Sequence, residues 1–414
     1  MFAFINYNAF VPLKSNQTRS TKMEVLFDEQ RALRVFSTLD ELWKNNQWPF
    51  DNILLPDEMI VRSLEVPQQN SLFFAALFMR GGVISEDPIR LVNQLLIDYP
   101  AIFHPDQAKD LGEQQLVDIF EEVSVKIKSL NGDPLKKSAF RYKAGEYARS
   151  WIFNARLLAE EFKGDPLSIF KDTGDFEEAF GRVSQEARGK KSGLQGMRRK
   201  IFSLFTIWLQ TQDLLPKFPT PIPVDFHALR VLWATGIFEI LDPAPLASRN
   251  GKLPVNLFNL CPKEATQTKE RLVDTVAKWS QGFLARNKLA HGRVNPALWV
   301  LSRDLCASFI QNISVGKPRF RQEQKRSYHL LLDEEYLNCH PKLWDKEKAQ
   351  SLCYVCPIRE FCGYAVPAGP YYSVGVLVRI PKRKLPDQPP QGVLPGIVPT
   401  EAFLKKGRAR SPRK

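Results

Sequence analysis

Cysteine is scarce: six occur in 414 residues, and four of them crowd between Cys339 and Cys362. That distribution excludes a disulfide framework and fits a reducing, intracellular compartment. Long apolar runs are also lacking. No stretch of about 18 apolar residues occurs, which excludes an ordinary membrane-spanning helix. Met1–Phe10 is apolar but has no basic leading region and no clear cleavage site, so a signal peptide is not expected. Strand-forming patterns are rare, with Tyr371–Ile380 the one stretch that looks extended. No internal repeat of about 20–50 residues is present. Acidic residues are outnumbered 45 to 58 by Lys and Arg. The resulting formal charge of +13 points to a polyanionic partner, either nucleic acid or an acidic membrane surface.

The chain is rich in helical periodicity. With 44% hydrophobic residues and 25% charged ones, it is long enough for two or three domains with substantial cores. Apolar residues recur at helical spacing from Asp28 to Asn45, and Pro49 and Pro56 interrupt the stretch beyond. Asn70–Ser71 is the expected cap of Leu72–Met79, which is apolar on most sides and therefore expected to be buried. Further helices are expected over Asp87–Tyr99, Gly112–Leu130, Phe140–Phe162, Asp175–Ala187 and Met197–Gln212. A Pro-rich link at 213–224 precedes Val224–Thr235, Lys263–Asn287 and Pro296–Ile313. Residues 1–27 read as irregular. From Lys382 to Lys414 prolines and basic residues dominate, the composition of a disordered basic tail.

The cysteine cluster reads Cys339-His340, twelve residues, Cys353-Tyr-Val-Cys356, five residues, Cys362. A tight Cys-x2-Cys turn with a third thiolate close behind can wrap one soft metal centre, and Cys339 closes the fourth corner. A [4Fe–4S] cube suits one knuckle plus a lone Cys362. Structural zinc, with His340 as a further ligand, is the alternative. Cys306 is a candidate substitute for Cys339.

Three other stretches occur in a fixed order. Ser192-Gly-Leu-Gln-Gly196-Met-Arg198-Arg199-Lys200 is turn chemistry running into a helix. Pro221-Ile-Pro-Val-Asp225-Phe-His227-Ala-Leu-Arg230-Val comes next, then Leu289-Ala-His291-Gly-Arg293, and finally the cysteines. This order resembles the helix–hairpin–helix DNA glycosylase superfamily, specifically its endonuclease III and adenine-glycosylase branch, which carries a [4Fe–4S] cluster. The resemblance covers about residues 70–365. The chain departs from the family pattern in lacking the second hairpin glycine, in the wider spacing of its first two cysteines, and in having Arg80-Gly81-Gly82 where the family has a glutamine-bearing stretch.

The resemblance implies an all-α, two-lobed fold. A six-helix barrel domain (70–235) would carry the hairpin. An iron–sulfur-cluster domain (236–365) would be joined by the N-terminal helical segment (28–69), with a short extended segment (366–381) and the basic tail (382–414) beyond. It implies a DNA base-excision glycosylase that hydrolyses the N-glycosidic bond of a damaged or modified base flipped out of duplex DNA. Asp225 matches the catalytic aspartate. Lys200 matches the lysine that bifunctional members use as a nucleophile for abasic-site lyase activity; monofunctional members use water. Gly196, Arg198, Arg199, Lys190 and Lys191 would bind nucleic-acid backbone. Cys339, Cys353, Cys356 and Cys362 would hold the cluster. Blander readings stand beside these. Asp225 is also an ordinary N-cap, the basic hairpin a solvated loop, Trp151, Trp208 and Trp233 core residues, and His291 a packing histidine. The expected setting is a monomer in the cytoplasm or on the nucleoid, without a membrane. The alternative functions are N-glycosidic cleavage of a modified nucleoside or RNA base on the same scaffold, and a non-catalytic iron–sulfur nucleic-acid-binding protein.

Overall fold

A computed structural model describes residues 24–51, 53–80, 86–127, 143–189, 192–241 and 269–306, with short pieces at 255–256, 263–264, 356–358, 360–361, 364–365, 377–378 and 398–399. The described chain is predominantly α-helical. Among the described residues no helix is long and apolar enough to cross a membrane.

Two hydrophobic cores divide the apolar residues between them. The first is built from the two ends of the helical region. Strand β1 (Glu24–Phe27) pairs antiparallel with β2 (Phe238–Leu241), in the register Phe27 opposite Phe238. Helix α1 (Glu29–Lys44) starts where Asp28 accepts from the Arg31 N–H at 2.9 Å, and it has Glu29 in its first turn and Lys44 in its last. Its Ala32, Val35, Phe36 and Leu39 share this core with α10 (Phe226–Ala234), α11 (Leu272–Arg286) and α12 (His291–Val300). A π-helical turn, Leu301–Cys306, continues α12. Arg293 of α12 grips Asp40 of α1 through two 2.8 Å bonds, so the first and last helices of the region are joined by charge as well as packing.

The second core is contiguous in sequence. It comprises α2 (Gln68–Phe78), α3 (Glu86–Asp98), α4 (Pro105–Ala108), α5 (Glu113–Lys126), α6 (Ala144–Glu161), α7 (Phe176–Val183) and α9 (Arg199–Thr211), and the short α8 (Gln185–Arg188) follows α7 without entering it. Helix α2 is buried on every side from Asn70 to Phe78, as its lack of a polar face requires. Phe74 stacks on Trp151 of α6 at 4.2 Å, and the Trp151 indole N–H donates to the Ile102 carbonyl at 2.8 Å. The tryptophans at 151, 208 and 233 are all buried core residues.

Several local expectations are corrected. Asn70 does not cap α2: the helix begins earlier, after Pro67, and Asn70 lies inside it, donating to the Phe103 carbonyl at 3.1 Å. A buried carbonyl offers that amide a better partner than its own helix end. The helix expected from Lys263 begins only at Leu272, and Lys263–Glu264 and Lys269–Glu270 pair as a short ladder instead. Residues 24–27, read as irregular, form β1. Of the stretch 371–380 only Leu377–Val378 is described, paired with Val255–Asn256, and within the tail Val398–Pro399 pairs with Tyr364–Ala365. Helix α10, grouped with residues 70–235 on sequence, packs into the first core.

The Pro-rich link between the cores is held at many points. Gln210 donates to the carbonyls of Pro216 and Phe218, the Ile222 N–H donates to Ser280, and Gln281 donates to the Pro219 carbonyl. It therefore runs as a fixed strap from the end of α9 to α11, delivering Asp225 at the start of α10 to a defined place.

Candidate active site

Asp225 ends the strap and begins α10. Its Oδ1 accepts from the backbone N–H groups of His227 at 2.8 Å and Ala228 at 3.2 Å. This is the N-cap role that an aspartate before an apolar helix is expected to fill, and it fixes the carboxylate in one rotamer. The second oxygen, Oδ2, points across to α9 of the other core, where Lys200 Nζ lies 3.3 Å away. Lys200 sits in the first turn of α9, and its side chain is 32% exposed against 15% for Asp225. The pair thus spans the two cores at the facing starts of two helices. Burial works to raise the Asp225 carboxyl, but the charge of Lys200 and the Ala228 N–H outweigh it and hold the group below its ordinary 3.8.

Behind the pair lies a buried polar layer. His227 Nδ1 is 3.0 Å from the Ser302 hydroxyl on the π-helical turn. Arg230, one turn further along α10, donates from Nη1 to both the carbonyl and the hydroxyl of Ser302, each at 3.0 Å. Burial, with Arg230, Lys200 and Arg303 nearby, drives His227 down to about 3 despite the opposing pull of Asp225, so the ring is neutral at physiological pH. Arg303 lies 3.9 Å over the Trp299 ring and pairs with Glu86 of α3 at 2.8 Å, a second charged link between the cores.

The hairpin segment between α8 and α9 is shaped from behind. Asn154 of α6 brackets Gln195, donating to its carbonyl at 2.9 Å and accepting from its N–H at 2.7 Å. Gly196 has φ of +75°, a conformation that glycine adopts at little cost. Arg198 is exposed at the N-cap position of α9. Arg199 is turned inward instead. It forms a two-pronged ion pair with Glu177, Nη2 to Oε2 being 2.9 Å, and its guanidinium covers the Phe180 ring at 4.8 Å. It is a buried structural cation rather than a surface one. Arg182 and Arg188 are likewise paired, with Glu178 and Glu161. Lys190 and Lys191 lie outside the described residues.

Of the four expected ligand cysteines only Cys356 is described. It packs half-buried beside Ile358 and Phe361 against the first core. Cys339, Cys353 and Cys362 lie outside the described residues, as does the Cys306 side chain. His291 is a packing residue: its Nε2 is 2.5 Å from Gln210 Oε1, and burial holds the ring down to about 4. Sequence reasoning missed Ser302. A serine inside an apolar helical run carries no signal until α12 is folded against α10.

No known family model matches the chain, and no curated protein sequence matches it. Among solved structures, a thermostable thymine-DNA glycosylase overlays on it with a TM-score of 0.37 and 10% identity, over 75% of this chain and 100% of that one. An overlay at that level does not define a shared fold.

Proposed function

We propose that this chain is a base-excision glycosylase that cleaves the N-glycosidic bond of a damaged or modified base in duplex DNA, on a two-lobed helix–hairpin–helix scaffold. The observation that supports this most is the Lys200–Asp225 pair, 3.3 Å apart where the two cores meet. As the C1′–N bond breaks, its electron pair leaves with the base and positive charge grows on the sugar. A carboxylate held ionised beside that carbon stabilises the charge, and water or an amine then bonds to C1′. Asp225 suits this role better than that of a general acid, because its surroundings favour the charged form. If water attacks, its proton is released to solvent or Asp225. If Lys200 attacks, its ammonium first gives a proton to Asp225 or solvent, the amine bonds to C1′, and opening of the sugar ring at the C1′–O4′ bond gives a Schiff base that leads to strand cleavage by β-elimination. A base in a duplex must be rotated out of the stack to reach this depth.

Affinity would come from backbone contacts at the hairpin, with Arg198, Lys190, Lys191 and the first turn of α9 facing phosphates around Gly196. Cys339, Cys353, Cys356 and Cys362 would hold a [4Fe–4S] cluster, zinc being the alternative. The donor chemistry fits such a group, and Cys356 is anchored on the first core, where a bound cluster would brace that lobe without entering the reaction. The reading also carries an intracellular monomer. The missing second hairpin glycine, and Arg80-Gly81-Gly82 in place of the family's glutamine-bearing stretch, favour one second reading, a non-catalytic nucleic-acid-binding protein on the same scaffold.

The deciding experiment is base release from a panel of damaged-base duplexes, together with borohydride trapping on an abasic-site duplex. Base release that is lost in Asp225→Asn establishes the glycosylase. A trapped adduct that is lost in Lys200→Ala adds the lyase. Absence of both, with DNA still bound, leaves the binding protein.

A further inference from the structure

The Ser302 hydroxyl lies between two side chains, Arg230 and His227. Arg230 Nη1, 3.0 Å away, can only donate. The hydroxyl therefore accepts from Arg230, and its own proton is available to His227 Nδ1, 3.0 Å away. When Nδ1 accepts that proton, the proton of neutral His227 sits on Nε2. The charged groups facing the ring are Asp225 and Arg230 on its own helix, Lys200 on α9 and Arg303 on the π-helical turn. Ser302 is fully buried, and its carbonyl also holds Arg230 at 3.0 Å. One side chain thus anchors the two residues of α10 that lie directly behind the Asp225 cap.

We propose that Ser302 is a positioning residue for the Asp225–Lys200 site: it locks His227 as the neutral Nε2–H tautomer and ties α10 to the π-helical turn, so that Asp225 faces Lys200 and no imidazolium. This rests on the glycosylase reading only for its kinetic consequence. Losing the lock lets the ring rotate, exchange its proton between nitrogens, or take up a second proton beside Asp225. Any of these gives Asp225 a competing partner and weakens its hold on Lys200.

The test uses the full chain with Ser302→Ala, Ser302→Thr and, to assign the resonance, His227→Gln. Ring-nitrogen NMR between about pH 5.5 and 8 is expected to show wild-type His227 as a fixed Nε2–H tautomer. Ser302→Ala should give a tautomer mixture or a titration that enters this range, and Ser302→Thr, which keeps the hydroxyl, should restore the wild-type spectrum. Base release by Ser302→Ala should fall about tenfold in kcat with KM unchanged, and its acid limb should move to higher pH. A His227 spectrum identical in wild type and Ser302→Ala overturns the proposal. So does a variant that loses only thermal stability while keeping its tautomer and pH profile. A changed tautomer in a protein whose wild type releases no base supports the Ser302 assignment and overturns the glycosylase reading instead.

Discussion

Arg80 occupies the space in which a side chain at Gly196 would lie. A Cβ built on Gly196 collides with Nη1 of the guanidinium, which is held there by a 2.7 Å bond from Nε to the Leu77 carbonyl and by the Tyr147 ring 4.8 Å away. The hairpin thus has a cation against its backbone at the turn where it bends. Gly196→Ala should cost about 1–3 kcal/mol, combining a left-handed backbone with the collision. In an Arg80→Ala background the same change should cost only about 1 kcal/mol. Urea midpoints of the wild type, the two single variants and the double variant measure the difference, and equal costs in both backgrounds would refute the contact.

Arg198 and Arg199 are adjacent, yet opposite outcomes are expected from removing their contacts. Arg198→Ala should leave the melting temperature nearly unchanged and lower the salt dependence of DNA binding by about 0.9 in log–log slope, the loss of one phosphate contact. Glu177→Ala strands the buried Arg199 cation and should cost about 3 kcal/mol, with the salt slope unchanged.

Asp57 is buried and accepts from Thr211 and Gln212 at the end of α9, and burial raises its carboxyl to about 6. The folded value lies above the unfolded 3.8. Its stabilising contribution is therefore present below about pH 4 and is lost as pH rises to about 6. Asp57→Asn should stabilise the fold more at about pH 8 than at about pH 4.5, by an amount on the order of 1–3 kcal/mol. A constant difference at the two pH values would contradict this assignment.

His227 and His291 act in the other direction. Both are held well below 6.5 in the fold, to about 3 and about 4. The unfolded chain gains protons first, so stability is full above about pH 6.5 and falls through the window down to these values. Chemical denaturation at about pH 7.5 and about pH 5 should show the loss, and His291→Gln should make the curve shallower.

The pH profile of catalysis is the remaining handle. Because Asp225 stays ionised below its ordinary 3.8, base release should show no acid limb from this group between about pH 5 and 7. A limb near about pH 6 that shifts in Asp225→Glu would show the carboxyl to be raised instead.

The helices were legible because their apolar spacing is a local property. Asp28 and Asp225 both cap the helices that begin directly after them. The roles of Lys200 and Asp225 came from a resemblance in motif order, while nothing in the intervening chain specifies their contact across two cores. The direction of Arg199 was not legible. Its neighbours Arg198 and Lys200 made it read as surface charge, whereas helical rotation turns it toward Glu177, Phe176 and Phe180. Ser302 was illegible for the same reason: its partners are more than 70 positions away in sequence.

The pairing of β1 with β2, and of Asp40 with Arg293, carries a consequence for biosynthesis. As the chain leaves the ribosome, residues 24–50 emerge first but cannot complete their core until α12 is made. The α2–α9 body lies wholly between those partners and can consolidate in the interval. The apolar face of α1 must therefore wait, exposed or chaperoned, for some 250 residues of synthesis. Slowing elongation just before α12 is therefore expected to lower the yield of soluble protein, while the same pause inside the α2–α9 body is not.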